Sequence, residues 1–341
     1  MTRTNGEEAW GRTPPTIYDV AQAAGVSPST VSRALNKPGR VNAATEKRIR
    51  EHASALGYQL NPMARAVITG RSDTIALVLS DVTNPVYFDL IRGAEHISAS
   101  HSRTLVLAES QESPEVELAV TQRLRVAVDG IVLVGSRMHD DEIRSLTQSK
   151  PVIAVNRRVD GVASLVPDID AGLGEALDHL RDLGHRAVGY LAGPETSWMN
   201  RSRWSVLFDG AISRGMSIVE IPASAPTLDG GRSSLRRVLA AGVSAVVAYN
   251  DLMALGLLTA AKEASVSVPG RLSIVGSDDI FGADLVTPSL TTIRSPLREI
   301  GSRAIEMLVA PRSEDEEEPM PATTFIRRES TDVPLESTST W

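Results

Sequence analysis

The stretch that decides the fold of the first part of the chain is Thr16-Ile-Tyr-Asp-Val-Ala-Gln-Ala-Ala-Gly-Val-Ser-Pro-Ser-Thr-Val-Ser-Arg-Ala-Leu35. It predicts two short helices joined by a tight turn. Thr16 can cap the first helix, with Asp19 three residues later reaching back towards the cap. Gly25 supplies the left-handed residue that ends a helix. Ser27 can then cap the second helix, and Pro28 occupies its first turn, where a missing N–H has no cost.

The side chains of both predicted helices divide into an apolar and a polar face. Helical spacing gives the first helix an apolar stripe of Ile17, Val20, Ala21 and Ala24. In the second helix Val31 and Leu35 face inward. The polar side chains left on its outer side are Ser29, Thr30, Ser32 and Arg33. This pattern predicts a helix-turn-helix whose second helix enters the major groove of DNA. A helical hairpin with no special role is the alternative interpretation.

Two further helices are predicted after this motif. Asn42 can cap a helix over residues 43–56, which Gly57 ends. Asn61 and Pro62 can open a short helix within residues 59–71. Because this short helix has few apolar residues, it would be marginal alone, and we expect it to form on DNA.

The distribution of charge separates the first part of the chain from the rest. The 341 residues carry a net charge of −7 and contain no cysteine. Between residues 16 and 71, however, eight Lys and Arg residues stand against three Asp and Glu residues. A basic head on an acidic body would be steered towards DNA phosphates. Since the chain shows no cysteine, no signal peptide and no apolar run long enough for a membrane, we expect a cytoplasmic protein without a membrane partner.

From Thr74 onward, short apolar runs alternate with helical patterns. The predicted strands are 75–79, 104–108, 130–134, 151–155, 186–191, 245–248 and 272–275. The predicted helices include 85–100, 171–183, 202–214 and 251–264. Such alternation predicts parallel sheets with helices on both faces. Two successive series predict two similar open sheets with a cleft between them.

Several motifs recur in order along almost the whole chain. In the first part they are Tyr18-Asp-Val-Ala, Gly25-Val-Ser, Thr30-Val-Ser-Arg33, Leu35-Asn36, Gly57-Tyr58, Asn61-Pro62 and Ala64-Arg65. Later they include Asp81-Val-Thr-Asn84-Pro85, Gly189-Tyr-Leu-Ala-Gly-Pro194, Asn250-Asp251, Val275-Gly-Ser-Asp-Asp279 and Leu290-Thr-Thr-Ile293. Together these motifs closely resemble the lactose-repressor (LacI/GalR) family of bacterial transcription regulators.

The resemblance implies an all-α helix-turn-helix head followed by an α/β core like that of periplasmic sugar-binding proteins, with two doubly wound parallel-sheet lobes. The chain would cross between the lobes near Pro167, Ile293 and Pro321. The domains would be a disordered leader at 1–15, a head at 16–58, a hinge helix and linker at 59–72, one lobe at 73–167 plus 294–321, and the other lobe at 168–293 plus 322–341. The acidic run at 314–318 is expected to be a surface loop.

The head and hinge supply the predicted DNA contacts. The candidates in the head are Thr16, Tyr18, Ser27, Pro28, Ser29, Thr30, Ser32, Arg33 and Asn36. The candidates in the hinge are Asn61, Ala64, Arg65 and Val67. Arg33 can bond guanine bidentately. By resemblance, Val67 stands where the family inserts a leucine into the minor groove to kink the duplex, and valine is shorter.

A second set of candidates lies at the carboxyl ends of strands, where ligands of open parallel sheets bind. The effector-binding candidates are Tyr87, Phe88, Asn156, Ser197, Arg203, Asn250 and Asp278. By resemblance, Tyr87 and Phe88 match ring-stacking positions and Arg203 matches a ligand clamp. For Asn250 and Asp278, capping of the next helix is the alternative. Such residues suit a polyhydroxylated or heteroaromatic molecule, and Arg203 is expected to pair with Asp278 when the cleft is empty.

These features predict a sequence-specific DNA-binding regulator, a repressor by expectation. It would bind a pseudo-palindromic operator as a homodimer and respond to a small-molecule effector such as a sugar. The chain shows no leucine heptad near residue 341, so we expect a dimer without a tetramerising coiled coil.

Two other classes of protein fit the sequence less well. An enzyme is disfavoured because no complete dinucleotide loop, phosphate loop or hydrolase elbow is present. No His pair has zinc spacing, and His179 and His185 are expected on the surface and in a turn, so neither a metal nor a cofactor is predicted. A free-standing sugar-binding module would need a signal peptide and no head.

Overall fold

The computed structural model describes residues 15–36, 39–58, 70–310 and 322–335. The chain divides into two compact units, Met1–Ser72 and Asp73–Trp341, which we call the head unit and the core unit. Residues 1–14, 59–69 and 311–321 hold the predicted leader, hinge helix and acidic run, and these predictions lie outside the described ranges.

The described helices of the head unit are α1 (Ile17–Ala24), α2 (Pro28–Asn36) and α3 (Ala43–Leu56). Their shared core consists of Val20, Ala21, Ala24, Val31, Ala34, Ile49 and Ala53. Leu35, which the sequence placed inside, is only half-buried at the edge of this core, whereas Ala34 is fully buried. Both positions share the helix face of Val31, and the smaller side chain is the one that fits completely.

Local hydrogen bonds fix the ends of these helices as the sequence predicts. The Asp19 carboxylate accepts hydrogen bonds from the Thr16 N–H at 2.7 Å and the Thr16 hydroxyl at 2.8 Å. Gly25 has φ 63°, and the Val26 N–H donates to the Ala21 carbonyl at 3.0 Å. The Ser27 hydroxyl accepts from the Thr30 N–H at 3.3 Å. The turn between α1 and α2 is therefore determined by residues three to five positions apart.

The first lobe of the core unit contains a five-stranded parallel sheet in the order β2-β1-β3-β4-β5. Its strands are β1 (Thr74–Leu79), β2 (Thr104–Glu109), β3 (Gly130–Val134), β4 (Val152–Val155) and β5 (Ala163–Leu165). Helices that cover this sheet are α4 (Tyr87–Ser100), α5 (Pro114–Leu124) and α6 (Asp140–Thr147). Strands β1, β3 and β4 are almost wholly buried, as their continuous apolar runs require.

The second lobe contains a four-stranded parallel sheet in the order β7-β6-β8-β9. Its strands are β6 (Ala187–Ala192), β7 (Ser217–Pro222), β8 (Ala245–Ala248) and β9 (Ser273–Val275). The helices are α7 (Asp170–Asp182), α8 (Trp198–Ser213), α9 (Leu228–Ala240) and α10 (Asp251–Glu263). The two sheets thus repeat one arrangement, as the alternation of patterns predicts.

Two short strands and one helix connect the lobes. They are β10 (Thr292–Arg294), α11 (Leu297–Val309) and β11 (Thr324–Ile326). Strands β10 and β11 pair in antiparallel fashion, with Ile293 opposite Phe325. Between them in sequence, α11 packs against α4 of the first lobe. An isolated parallel β-bridge also pairs the backbones of Asp168 and Ala322, so the connecting segments lie side by side.

The structure differs from the sequence predictions in a few elements. Helix α8 begins at Trp198, four residues before the predicted start, because the Ser197 hydroxyl accepts from the Asn200 N–H at 3.1 Å and caps it. Strand β7 was not predicted, since it lies at the sheet edge with mostly exposed side chains. His185 directly follows the turn after α7, as expected, and it is fully buried, with its ring nitrogens 2.8 Å from the Ser244 hydroxyl and 3.1 Å from the Asp332 carbonyl. His179, which was expected on the surface, is half-buried.

None of the described helices combines the length and the apolar character that crossing a bilayer requires.

Helices α4 and α11 approach each other through two glycines. A Cβ atom at Gly301 would lie 2.1 Å from the Leu90 carbonyl oxygen, and one at Gly93 would lie 1.9 Å from the Arg298 carbonyl oxygen. Each glycine therefore faces the backbone of the partner helix, which cannot move aside as a side chain can. This contact attaches α11, and with it β10 and β11, to the first lobe.

Gly301→Ala should destabilise the core unit by roughly 1–3 kcal/mol, because the new methyl group forces α11 away from α4. Urea unfolding would measure the change. The matched control is Gly174→Ala in α7, where the nearest atom to the new Cβ is the flexible Arg214 guanidinium at 3.4 Å. Alanine is the better helix former, so this control should be neutral or stabilising by up to about 1 kcal/mol. Equal losses in both variants would contradict the close-packing argument.

Candidate functional site

The outer face of α2 carries short polar side chains and one arginine. Ser29 and Arg33 are exposed, and Thr30 and Ser32 are half-exposed. The Ser27 hydroxyl lies 2.9 Å from the hydroxyls of both Ser29 and Thr30. The Arg33 Nε–H donates to the Ser29 carbonyl at 3.2 Å, which lays the guanidinium along its own helix. These groups offer donors and acceptors of the kind that read base edges.

The other predicted DNA contacts of the head are exposed or half-exposed wherever the structure describes their side chains. Tyr18 on α1 is 70% exposed, which is unusual for a large aromatic side chain in a helix with an apolar stripe. Thr16 and Ser27 are exposed and Pro28 is half-exposed. Asn36 is the last residue of α2. The hinge candidates Asn61, Ala64, Arg65 and Val67 lie outside the described residues.

In the core unit, a cleft lies between the carboxyl ends of the two parallel sheets. Among the residues that line it are Tyr87, Asn156, Ser197, Arg203, Asn250 and Asp278, so six of the seven predicted effector residues come together. The seventh, Phe88, is 45% exposed and does not line the cleft. One residue after Tyr87 on α4, its side chain is rotated by about 100° around the helix and leaves the cleft wall.

The centre of the second-lobe wall is an ion pair between Arg203 and Asp278. The Arg203 Nη2 atom lies 3.6 Å from the Asp278 Oδ1 atom, and both side chains are almost completely buried. The Arg203 Nη1–H also donates to the Tyr249 carbonyl, and the guanidinium lies 5.1 Å from the centre of the Tyr249 ring. Burial raises the pKa of Asp278, and the nearby Arg203 opposes this shift. The expected pairing of these two residues is thus present.

The alternative of helix capping holds for Asn250 and fails for Asp278. The Asn250 Oδ1 atom accepts from the Met253 N–H at 2.9 Å, and its amide donates to the Pro226 carbonyl at 2.8 Å. Its side chain is therefore already engaged in building the second lobe. Asp278 caps no described helix; it has φ 144° and its backbone N–H donates to the Ile293 carbonyl at 2.8 Å.

Three other predicted residues shape the walls of the cleft. Ser197 is buried, with its hydroxyl 3.1 Å from the Tyr249 hydroxyl. The Tyr87 hydroxyl lies 2.7 Å from the Ser80 hydroxyl, and burial raises the pKa of this phenol. Asn156 follows β4 with φ 58°, and its buried Oδ1 atom accepts no hydrogen bond from the described residues.

The cleft also contains residues that the sequence analysis missed. Glu112, Arg137, Pro226 and Tyr249 all line it. Each follows a strand by one to four residues, in order β2, β3, β7 and β8. The rule that ligands bind beyond strand ends would have found them had it been applied to every strand. Arg137 is the most informative of the four because it is a second arginine, on the wall of the first lobe.

Next to Asp278, Asp279 makes a separate set of ion pairs. Its Oδ2 atom lies 2.6 Å from the Arg294 Nη2 atom at the end of β10. Its Oδ1 atom lies 2.6 Å from the Arg328 Nη2 atom, two residues after β11. Two adjacent aspartates therefore contact the cleft on one side and the connecting strands on the other.

The two tryptophans near the cleft pack as core residues. Trp204 lies 6.0 Å from the Tyr190 ring in a nearly parallel arrangement, and both Trp198 and Trp204 pack against the buried cluster of the second lobe. Across the described ranges, no three His, Asp or Glu side chains come together as a possible metal site.

Comparison with known proteins agrees with these observations. Residues 16–61 match the bacterial regulatory proteins of the lacI family, and residues 177–331 match a periplasmic binding protein-like domain. The HTH-type transcriptional regulator GalS of Salmonella typhimurium is 32% identical over 303 residues, which cover 86% of this chain and 88% of the relative. The chain belongs to the lacI family of bacterial regulatory proteins.

Other lacI-family relatives support the same conclusion. The HTH-type transcriptional repressor CytR of Escherichia coli is 31% identical over 309 residues, covering 87% of this chain and 89% of the relative. As a member of this family, the chain is a transcription regulator and not an enzyme, which confirms the expectation from the sequence.

Solved structures show the same architecture. The lac repressor dimer bound to operator and the anti-inducer ONPF has a TM-score of 0.82 at 23% identity, covering 94% of this chain and 100% of that chain. The CelR–cellobiose complex has a TM-score of 0.66 at 26% identity, covering 93% and 99%. The predicted fold, a helical head with a periplasmic-binding-protein-like core, is thus confirmed.

Asp278→Asn should change the pH dependence of stability. Because burial raises the pKa of Asp278 above its ordinary value of 3.8, the unfolded chain releases this proton at lower pH than the folded protein does. The stability that the protonated carboxyl contributes is complete below about pH 4 and is lost as the pH rises through the folded pKa.

We therefore expect the free energy of unfolding of the native protein, relative to the Asn variant, to fall as the pH rises from about 4 to about 8, because burial raises the pKa of Asp278 to about 8. Urea unfolding at several pH values would measure it. Asp251, whose nearby charge helps to raise the pKa of Asp278, is present in both proteins. A difference that does not vary with pH would contradict a raised pKa.

Proposed function

We propose that this regulator is a dimeric repressor that binds a pseudo-palindromic operator and is controlled by a small molecule in the cleft of its core unit. The observation that carries the DNA part is the polar face of α2, on which Ser29 and Arg33 are exposed. In a helix-turn-helix this face is the one that enters the major groove. Two heads related by a two-fold axis would read inverted half-sites.

The effector part of the proposal is supported by the chemistry of the cleft. Its polar groups come from both lobes, so a molecule that touched Asn156 and Arg203 together would hold the lobes in one arrangement. A ligand changes an equilibrium between two arrangements only through contacts that differ between them. The CelR relative was solved with cellobiose, and a lacI-family relative from Enterococcus faecium with ribose. Both support a sugar-like effector here.

The operator can be obtained by selecting bound sequences from random double-stranded DNA with the full-length protein. The effector can be sought by a thermal-shift screen of monosaccharides, disaccharides and nucleosides, since a ligand at a hundred times its Kd stabilises by roughly 2.7 kcal/mol. Selected sites without inverted symmetry would contradict binding as a two-fold dimer.

Arg33→Ala should weaken binding to the selected operator far more than binding to random DNA. A bidentate contact to guanine contributes roughly 1–3 kcal/mol of discrimination, or about 5- to 150-fold in Kd. Gel shifts on both DNAs at one salt concentration would measure it. The matched control is Lys47→Ala, which removes one exposed positive charge from α3. Equal losses on operator and random DNA for Arg33→Ala would show that this residue contacts phosphate only.

Arg203→Ala should leave operator affinity almost unchanged and abolish the response to the compound that the screen identifies. The reason is that Arg203 belongs to the cleft and not to the head, and saturating effectors typically change affinity by about 5- to 150-fold. Operator binding with and without that compound is the measurement. Arg232→Ala, which breaks an exposed ion pair with Glu263 in the same lobe, serves as control. A normal response in the Arg203 variant would locate the effector elsewhere.

A further inference from the structure

Three charged side chains meet at the base of the first lobe, where β1, β2 and β3 begin. Asp73 directly precedes β1, Arg103 directly precedes β2, and Asp129 directly precedes β3. The Arg103 Nη1 atom lies 2.7 Å from the Asp73 Oδ1 atom and 2.6 Å from the Asp129 Oδ2 atom. One guanidinium nitrogen thus joins both carboxylates. We call these three residues the base clamp.

Backbone hydrogen bonds extend the base clamp to the neighbouring elements. The Asp73 N–H donates to the Asp129 Oδ2 atom at 3.1 Å, and the Thr104 N–H donates to the Asp73 carbonyl at 2.8 Å. The Arg103 N–H donates to the Ser98 carbonyl in α4 at 2.8 Å. The clamp residues are 26 to 56 positions apart in sequence. The start of the core unit is therefore bonded to the start of β3 and to the end of α4.

The base clamp is better shielded from water than a surface ion pair. The side chains of Arg103, Asp73 and Asp129 are 15%, 26% and 20% exposed, whereas those of the pair between Arg232 and Glu263 are 46% and 57% exposed. Exposed pairs contribute little because water and salt screen them, and shielded pairs are screened less. The base clamp is therefore suited to hold the backbone around Asp73 in one geometry.

Asp73 requires such a constraint because its backbone is left-handed, with φ 54°. A residue with a Cβ atom adopts this conformation at a cost in free energy, although Asp and Asn tolerate it better than most. It persists where the surroundings fix it. Ser72 is the last residue of the head unit and Asp73 is the first of the core unit. The conformation of this one residue thus determines the direction in which the chain leaves the first lobe.

We propose that the base clamp is a positioning device for operator binding, which makes the two heads of a dimer require one spacing between half-sites. It does so by fixing Asp73, and none of its three residues lines the cleft. The inference rests on the proposed binding of an operator by a dimer.

The physical basis is the effective concentration of the second head once the first head is bound. A tether with few allowed directions holds the second head close to a correctly placed half-site, and the advantage of binding with both heads is lost when the geometry is wrong. A looser tether lowers this advantage at the correct spacing and tolerates other spacings. Release of Asp73 should therefore weaken binding and broaden the range of accepted operators.

The experiment uses the full-length protein and the operator selected from random DNA, rebuilt with one or two base pairs added or removed between its half-sites. Each base pair moves a half-site by about 3.4 Å and turns it by roughly 35° around the DNA axis. Gel shifts give the Kd for every spacing and for DNA with a single half-site. The proteins compared are the native chain, Arg103→Ala, Asp129→Ala and Arg214→Ala.

Arg214→Ala is the matched control. The Arg214 Nη2 atom lies 2.9 Å from the Asp178 Oδ2 atom, which joins α8 to α7 in the second lobe, and the Arg214 side chain is 22% exposed. Its removal breaks a similarly shielded ion pair between elements without touching Asp73. Melting temperatures of all four proteins show how much stability each variant loses. Two clamp variants are used so that poor folding of one leaves the other as the test.

We expect the native protein to lose most of the advantage of two heads, which is about 10²- to 10⁴-fold in affinity, when the spacing changes by two base pairs. Arg103→Ala and Asp129→Ala should bind the correct operator more weakly and lose less than about tenfold on the same change, because their tethers are looser. Arg214→Ala should keep the native dependence on spacing. The Kd for a single half-site should be the same in all four proteins.

A native dependence on spacing in both clamp variants would overturn the proposal, since the base clamp would then only stabilise the lobe. A broadened dependence in Arg214→Ala would equally overturn it, because tolerance of spacing would then follow from any loss of stability. Both outcomes leave operator binding by a dimer standing. A native protein that binds all spacings equally would overturn dimeric operator binding together with this inference.

Discussion

The interaction on which the core unit depends is the pair of adjacent aspartates after β9. Asp278 faces the cleft and pairs with Arg203, whereas Asp279 faces the connecting strands and pairs with Arg294 and Arg328. Both have φ in the left-handed range, at 144° and 57°, a conformation that costs free energy and persists because the surroundings fix it. Two hydrogen bonds to β10 hold this conformation. The Asp278 N–H donates to the Ile293 carbonyl at 2.8 Å, and the Asp279 N–H donates to the Thr292 hydroxyl at 3.3 Å.

A ligand bound in the cleft would have a short physical route to the connection between the lobes. A molecule that takes Arg203 or Asp278 as a partner acts on a loop that is bonded directly to β10 and, through Asp279, to the segment after β11. Helix α11 lies between those strands in sequence and is attached to α4 by backbone contacts at Gly93 and Gly301. Because those contacts are rigid, a displacement of β10 would be transmitted to the first lobe instead of being absorbed locally.

The same features impose a cost on stability. Asp251, Asp278 and Arg137 are buried ionisable groups, and burial raises the pKa of both aspartates. A core of apolar residues of similar volume would commonly be at least as stable. Arg137 in the first lobe and Asp278 in the second line the cleft, and Asp251 supports its loop through the Ile280 N–H, so these buried ionisable groups are concentrated around the cleft.

The sequence by itself determined the head and the order of the core elements, because both depend on short spacings. Caps such as Thr16 with Asp19 act over three residues, and strands such as β3 are marked by their own apolar runs. It also located six cleft residues, because strand ends converge in any parallel sheet and because the family resemblance marked which positions near those ends to choose. Only the tertiary structure decided which charged groups pair. Arg137 pairs with Glu112, 25 residues away, and Arg328 pairs with Asp279, 49 residues away. It also decided that Phe88 does not line the cleft. Those outcomes depend on side-chain direction and on how separate elements pack, which no local spacing encodes.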